Sequence, residues 1–168
     1  MLTNWFPYNH SLTKGKVQLK VYQFRSKQFL PIKIDKAWEF FSNPNNLSKI
    51  TPAWLNFEVT SQLDSKMYAG MIISYFVRPL LNIPTTWVTE ITHVREPYFF
   101  VDEQRFGPYK FWHHQHIFTE TKNGIEMEDI VSYAVPFGVF GRIANRLIIS
   151  KKINDIFSFR SEILKHLL

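Results

Sequence analysis

Two histidines, His114 and His116, sit two residues apart in the run FWHHQHIF, where aromatic and polar side chains alternate. Residues i and i+2 of a strand share a face, so both imidazoles project from the same side. Such a pair can ligate a metal with a third group such as His93 or Asp129. It can also exchange protons as general acid and base, or anchor a carbonyl or hydroxyl of a ligand. No third ligand stands at a diagnostic spacing, and no metal or other cofactor is expected. Asp129 is the natural companion. A carboxylate beside an imidazole raises the histidine's basicity, and the same pairing allows either group to be buried. Nucleophile chemistry finds no support, because the chain has no cysteine and no Gly-x-Ser-x-Gly.

Asn123–Gly124 carries the strongest turn signal and predicts a two-residue type I′ loop. That turn opposes Lys122 to Ile125, Phe118 to Asp129, His116 to Val131, His114 to Tyr133 and Trp112 to Val135. All of these lie on one side of the hairpin, with Asp129 diagonal to His116. This side is the more aromatic and is placed inward. Asp102 and Gln104 precede Gly107–Pro108. A plain even-numbered loop there opposes Asp102 to His113 and points it outward, whereas a bulge turns both residues inward.

The elements that must position these groups read mainly as short strands. A first strand runs from Val17 to about Leu30, before Pro31. Asp35 then caps a two-turn helix holding Ala37, Trp38, Phe40 and Phe41, and a second short helix spans Asn46 to Ile50. From Trp54 to Val135 the punctuation is that of a β meander. The aromatic set Trp38, Phe41, Trp54, Phe57, Tyr75 and Trp87 can line a cavity or fill a solid core. Leu80, Leu81 and Ile83 between prolines form an apolar loop of the kind that gates a pocket or meets a partner or membrane. After Pro136 and Gly138, one long amphipathic helix is expected. Its apolar stripe comprises Phe140, Ile143, Ala144, Leu147, Ile148, Ile156, Phe157, Ile163, Leu164 and Leu167, with Arg142, Arg146, Lys151, Lys152, Asp155 and Glu162 opposite. A sheet with one face to bury, followed by one such helix, predicts an α+β fold in which the sheet wraps the helix.

The 168 residues fit one domain, and a hydrophobic content of 45% with 17% aromatics supports a wide interior. Absence of cysteine fits a reducing compartment, and neither a signal peptide nor a membrane span is legible, so a cytoplasmic location is expected. The net charge of +6 is uneven. Residues 1–36 carry seven basic side chains against one acid, residues 37–141 seven against eleven, and the remainder six against two. Basic ends can meet an anionic surface, though scattered lysines and arginines are equally a solvated face. No phosphate loop, zinc finger or helix-turn-helix pattern occurs, so neither nucleic acid nor a nucleotide is an expected partner.

With these elements in order, the chain resembles the START-like, or SRPBCC, helix-grip superfamily over about residues 17–168. The segments NPNNLSKITPAWLNFEV, FVDEQRFGPYKFWHHQHIF and MEDIVSYAVPFGVFGRIANRLI resemble its bacterial polyketide cyclase/dehydrase-like group. Trp112, His114, His116 and Phe118 match that group's strand motif, as do Asp102, Gln104, Asp129 and Tyr133. The resemblance implies a deep cavity between curved sheet and helix, holding an apolar or amphipathic molecule such as a lipid, polyketide or isoprenoid. It turns Asp102 and Gln104 inward. Trp87 from the sheet, and Ile143 and Leu147 from the helix, complete the expected ligand contacts. The domain is expected over 15–168, with 1–14 as an extension. A ligand-binding domain is the primary expectation, with transient membrane-surface contact as an accessory. An aromatase/cyclase-type enzyme using His114, His116 and Asp129, or an interaction module with a closed interior, are the alternatives.

Overall fold

The computed structural model describes residues 19–62, 64, 66–79 and 83–168. The expected extension 1–14, Val17 of the first strand, and Leu80 and Leu81 of the apolar loop lie outside the described residues. Among the described residues, seven strands form one antiparallel sheet: β1 (Tyr22–Leu30), β2 (Glu58–Val59), β3 (Ile72–Val77), β4 (Thr85–Arg95), β5 (Phe99–Phe106), β6 (Phe111–Thr121) and β7 (Gly124–Ala134). Their spatial order is β1-β7-β6-β5-β4-β3-β2. Alternation sends Ile125, Met127, Asp129, Val131 and Tyr133 of β7 to the covered face, with His114, His116 and Phe118 of β6 beside them. Helix α1 (Ile34–Phe41) packs on this face through Ile34, Ala37, Trp38 and Phe41 at helical spacing. Trp38 meets Phe118 edge-on at 6.3 Å between ring centres. Asp35 lies in the first turn, where its charge suits the helix's positive end, but the cap residue is Lys33. Short 3₁₀ turns at Pro44–Ile50 and Ala53–Leu55 complete the α1 side.

The β6–β7 hairpin differs from the expected one. Thr121 pairs with Gly124, so the loop residues are Lys122 and Asn123, and every pairing moves by two. The side facing inward is unchanged, because a two-residue shift preserves the pleat. Neither loop residue has the positive φ a type I′ turn requires. The glycine answers a different demand: a Cβ at position 124 would collide with the Leu30 carbonyl and press on Pro31. Gly124 lets β7 begin directly against the end of β1.

The last 31 residues, 138–168, are helical almost throughout: α2 (Gly138–Ala144), one π-helical turn at Asn145–Ile149, then α3 (Ser150–Leu167). The buried row is Gly141, Asn145, Ile149, Ile153, Phe157, Ser161 and Leu164. A four-residue step overshoots an α-helical turn by about 40°, so such a row drifts around a regular helix. The wider π turn holds its first members in line. The expected stripe is therefore corrected in its first half, where Phe140, Ile143, Leu147 and Ile148 are exposed. Phe157 and Leu164 of the expected stripe do face the sheet. Described helices include none long and apolar enough to cross a membrane.

Gly141 marks where α2 folds back on the last strand. A Cβ there would run into the Pro136 carbonyl oxygen and crowd Val135. Gly141→Ala is expected to lower unfolding free energy by about 1–3 kcal/mol through overpacking, measured by urea denaturation.

Candidate functional site

The sheet and the C-terminal helix enclose a cavity of about 180 Å³. Phe41, Phe57, Tyr75 and Trp87 of the aromatic set line it, with Tyr109 from the β5–β6 loop, Trp112 on the sheet and Ile153, Ile156 and Phe157 on α3. Trp38 packs behind the lining, and Trp54 lies half out, under the Lys152 ammonium at 3.8 Å. The interior is hollow and mostly apolar. Its titratable and basic lining groups among the described residues include Asp102, His114, His116 and Arg160.

Three neighbouring strands build the polar wall. β5 sets Asp102 directly opposite His114, and β6–β7 sets His116 directly opposite Asp129, not diagonal to it. The four side chains close into a ring. Asp102 Oδ2 is 3.1 Å from His114 Nδ1 and 3.0 Å from His116 Nε2. Asp129 Oδ1 is 3.0 Å from His114 Nε2 and 2.9 Å from His116 Nδ1. The last approach is short but off the ring's N–H direction, so His116 Nδ1 makes no hydrogen bond. The imidazole centres are 3.8 Å apart.

Burial alone would lower the His114 pKa, but Asp102 first and Asp129 second outweigh it and push it up to about 9. For the acids, burial acts upward, and the two imidazoles overcome it, holding both carboxyls well below the usual carboxylate range. His114 is thus a stored proton between two carboxylates, with the cavity on its open side. Asp102, His114 and His116 also present three ligand atoms within 4.8 Å of one another, the minimum set for a three-ligand metal. Here those atoms are turned onto each other.

The expected ligand contacts divide. Trp87, Asp102, Trp112, His114 and His116 line the cavity. Asp129 sits behind the imidazoles and reaches the cavity only through them. Gln104 is turned to the β5–β6 loop, donating from Nε2 to the Tyr109 carbonyl at 2.7 Å and accepting from the Tyr109 N–H at 3.2 Å. Tyr133 lies fully buried under the π turn and donates to Asn145 Oδ1 at 3.0 Å. Burial pushes its phenol up to about 12. Ile143 and Leu147 are on the exposed side of the helix, for the reason the π turn gives. His93 lies near the solvent end of β4 and bonds to Thr92. Arg160 was missed. Its sequence signal is an arginine one helical step from Phe157 and Leu164 on the buried stripe.

The ring makes stability depend on pH in a stated sense. His114 binds its proton more tightly folded than unfolded, so its contribution is complete below about 6.5 and lost as pH rises through about 9. The two aspartates act oppositely, contributing above about 4 and losing that contribution under acid. Thermal melts are expected to peak between these limits and to fall by several degrees toward pH 9. His114→Gln should flatten the alkaline decline, and an unchanged slope in that variant would contradict the assignment.

No family model and no curated protein matches the chain. Solved structures do. Protein CV1439 of Chromobacterium violaceum superposes with a TM-score of 0.66 at 11% identity, covering 87% of this chain and 96% of that one. Protein Ms6760 of Mycobacterium smegmatis gives 0.61 at 14% identity, over 94% and 99%. Norcoclaurine synthase of Thalictrum, in complex with a transition-state analogue, gives 0.64 at 15% identity, over 91% and 100%. What these likenesses show is the fold: a curved antiparallel sheet closed by a C-terminal helix, the helix-grip fold.

Proposed function

We propose that this chain binds a hydrophobic or amphipathic small molecule in the cavity between sheet and helix, as a member of the polyketide cyclase/dehydrase-like group it resembles. The observation that carries the reading is the cavity itself. It is a hollow of about 180 Å³ with aromatic and aliphatic walls and a few convergent polar groups, the composition of a small-molecule site. A solid core would be filled, because interiors pack to crystal density and a void forfeits dispersion contacts. The neutral probe N-phenyl-1-naphthylamine is expected to bind saturably. At a hundredfold excess over its dissociation constant it should stabilise the fold by about 2.7 kcal/mol, a melting shift of roughly 5–10 °C. No saturable binding and no shift would leave the closed interaction module as the better reading. Native mass spectrometry of freshly purified protein gives the complementary measurement, a co-purifying small molecule.

A second reading is favoured by one specific observation: the stored proton of His114 faces an apolar cavity large enough for a reactant. A cyclase-type enzyme needs such a group to donate or accept a proton at a carbonyl. His114→Gln separates the two. Binding alone loses about 1–3 kcal/mol of affinity for a ligand bonded there, whereas acid–base turnover of a polyketide-like compound falls roughly a hundredfold while binding persists.

A further inference from the structure

Among the described residues, Arg160 is the cation of the cavity wall that has no acid beside it. It stands on α3 between Phe157 and Leu164, in line with the side chains that face the sheet, and is only 8% exposed. Its guanidinium lies over the Phe157 ring at 4.9 Å, and it makes no side-chain hydrogen bond or ion pair with any described residue. Asp102, the only carboxylate in the lining among the described residues, is already committed to the two imidazoles. A buried charge without a partner is strongly unfavourable, and a guanidinium presents a planar fork of donors matched to an oxyanion. The Trp87 indole N–H, also buried in the lining, likewise has no acceptor. Both unfilled positions ask for acceptor oxygens.

We infer that the ligand of this cavity is an amphipathic anion, with an apolar body against the aromatic wall and an oxyanion head, carboxylate or phosphate, on Arg160. The inference rests on the ligand-binding reading and specifies its ligand. It assigns the two polar places different tasks. The Asp–His ring is closed on itself and offers a proton or a hydrogen bond. Arg160 supplies the charge that selects.

The test compares three probes that share one tail, 1-decanol, decanoate and decyl phosphate, by calorimetry near neutral pH on the unaltered protein. At least one anion is expected to bind about tenfold or more tightly than decanol, and the better of the two identifies the head group. Arg160→Gln is expected to erase that preference, so that both anions bind the variant no more tightly than decanol does, and Arg160→Lys to restore it in part, because charge returns without the fork. Decanol binding as tightly as both anions to the unaltered protein would overturn the anion inference and leave the cavity reading standing. Retention of the preference in a folded Arg160→Gln variant would do the same. Failure of all three probes to bind, decanol included, would overturn the cavity reading and the inference with it.

Discussion

Two carboxylates beneath an apolar cavity, Asp129 buried and Asp102 half-buried, must be matched by positive charge, and much of the central sheet follows from that requirement. Asp102 comes from β5, His114 and His116 from β6, and Asp129 from β7. Each acid touches both imidazoles, so no member can leave without exposing another as an unpaired charge in a medium that solvates it poorly. The surrounding aromatic side chains, Phe100 stacked on His116 at 4.1 Å and Trp112 against His114, keep water away and strengthen the ring they enclose. Polar satisfaction and apolar packing are here one arrangement seen from two sides.

The helix supplies the opposite wall and solves a different problem. A single α-helix cannot keep a row of four-residue steps against a sheet along its whole length. The π turn absorbs the drift, and its loosened backbone is held by side chains: Tyr133 bonds Asn145 from below, and the Ser150 hydroxyl donates to the Asn145 carbonyl at 2.6 Å. Beyond this point α3 presents Ile153, Phe157 and Arg160 to the cavity. The placement of Arg160 is thus set in part by a backbone irregularity eleven or more residues earlier.

The fold was legible because its signals are strong and local: period-two alternation in β6 and β7, two short helices bounded by prolines, one long apolar-striped tail. The inward side of β6 was legible for the same reason. Less of the site could be read. The Asn–Gly pair suggested a loop one residue too late, since the glycine is required by contact with Leu30, a neighbour that turn rules do not see. Gln104 was turned inward with Asp102 on the strength of the resemblance, but the Tyr109 backbone in the β5–β6 loop claims its amide. Ile143 and Leu147 were assigned to the cavity by a period of 3.6, which the π turn interrupts. Arg160 was named on neither face of the expected helix, although its spacing from Phe157 and Leu164 already placed it among the apolar residues.

The ring has a consequence for how the chain finds its strand pairing. Sliding β7 along β6 by two residues keeps every side chain on its own face, so the hydrophobic pattern cannot tell the shifted hairpin from the native one. Charge can. The shifted pairing sets Asp129 against Phe118 and leaves His116 opposite Val131, separating acid from base in a region with little water to solvate either. The penalty for a buried, unpartnered carboxylate falls only on the wrong alignment. Four titratable side chains therefore act as a vernier on the central hairpin, recording to within one pleat repeat which of two equally greasy alignments is the folded one.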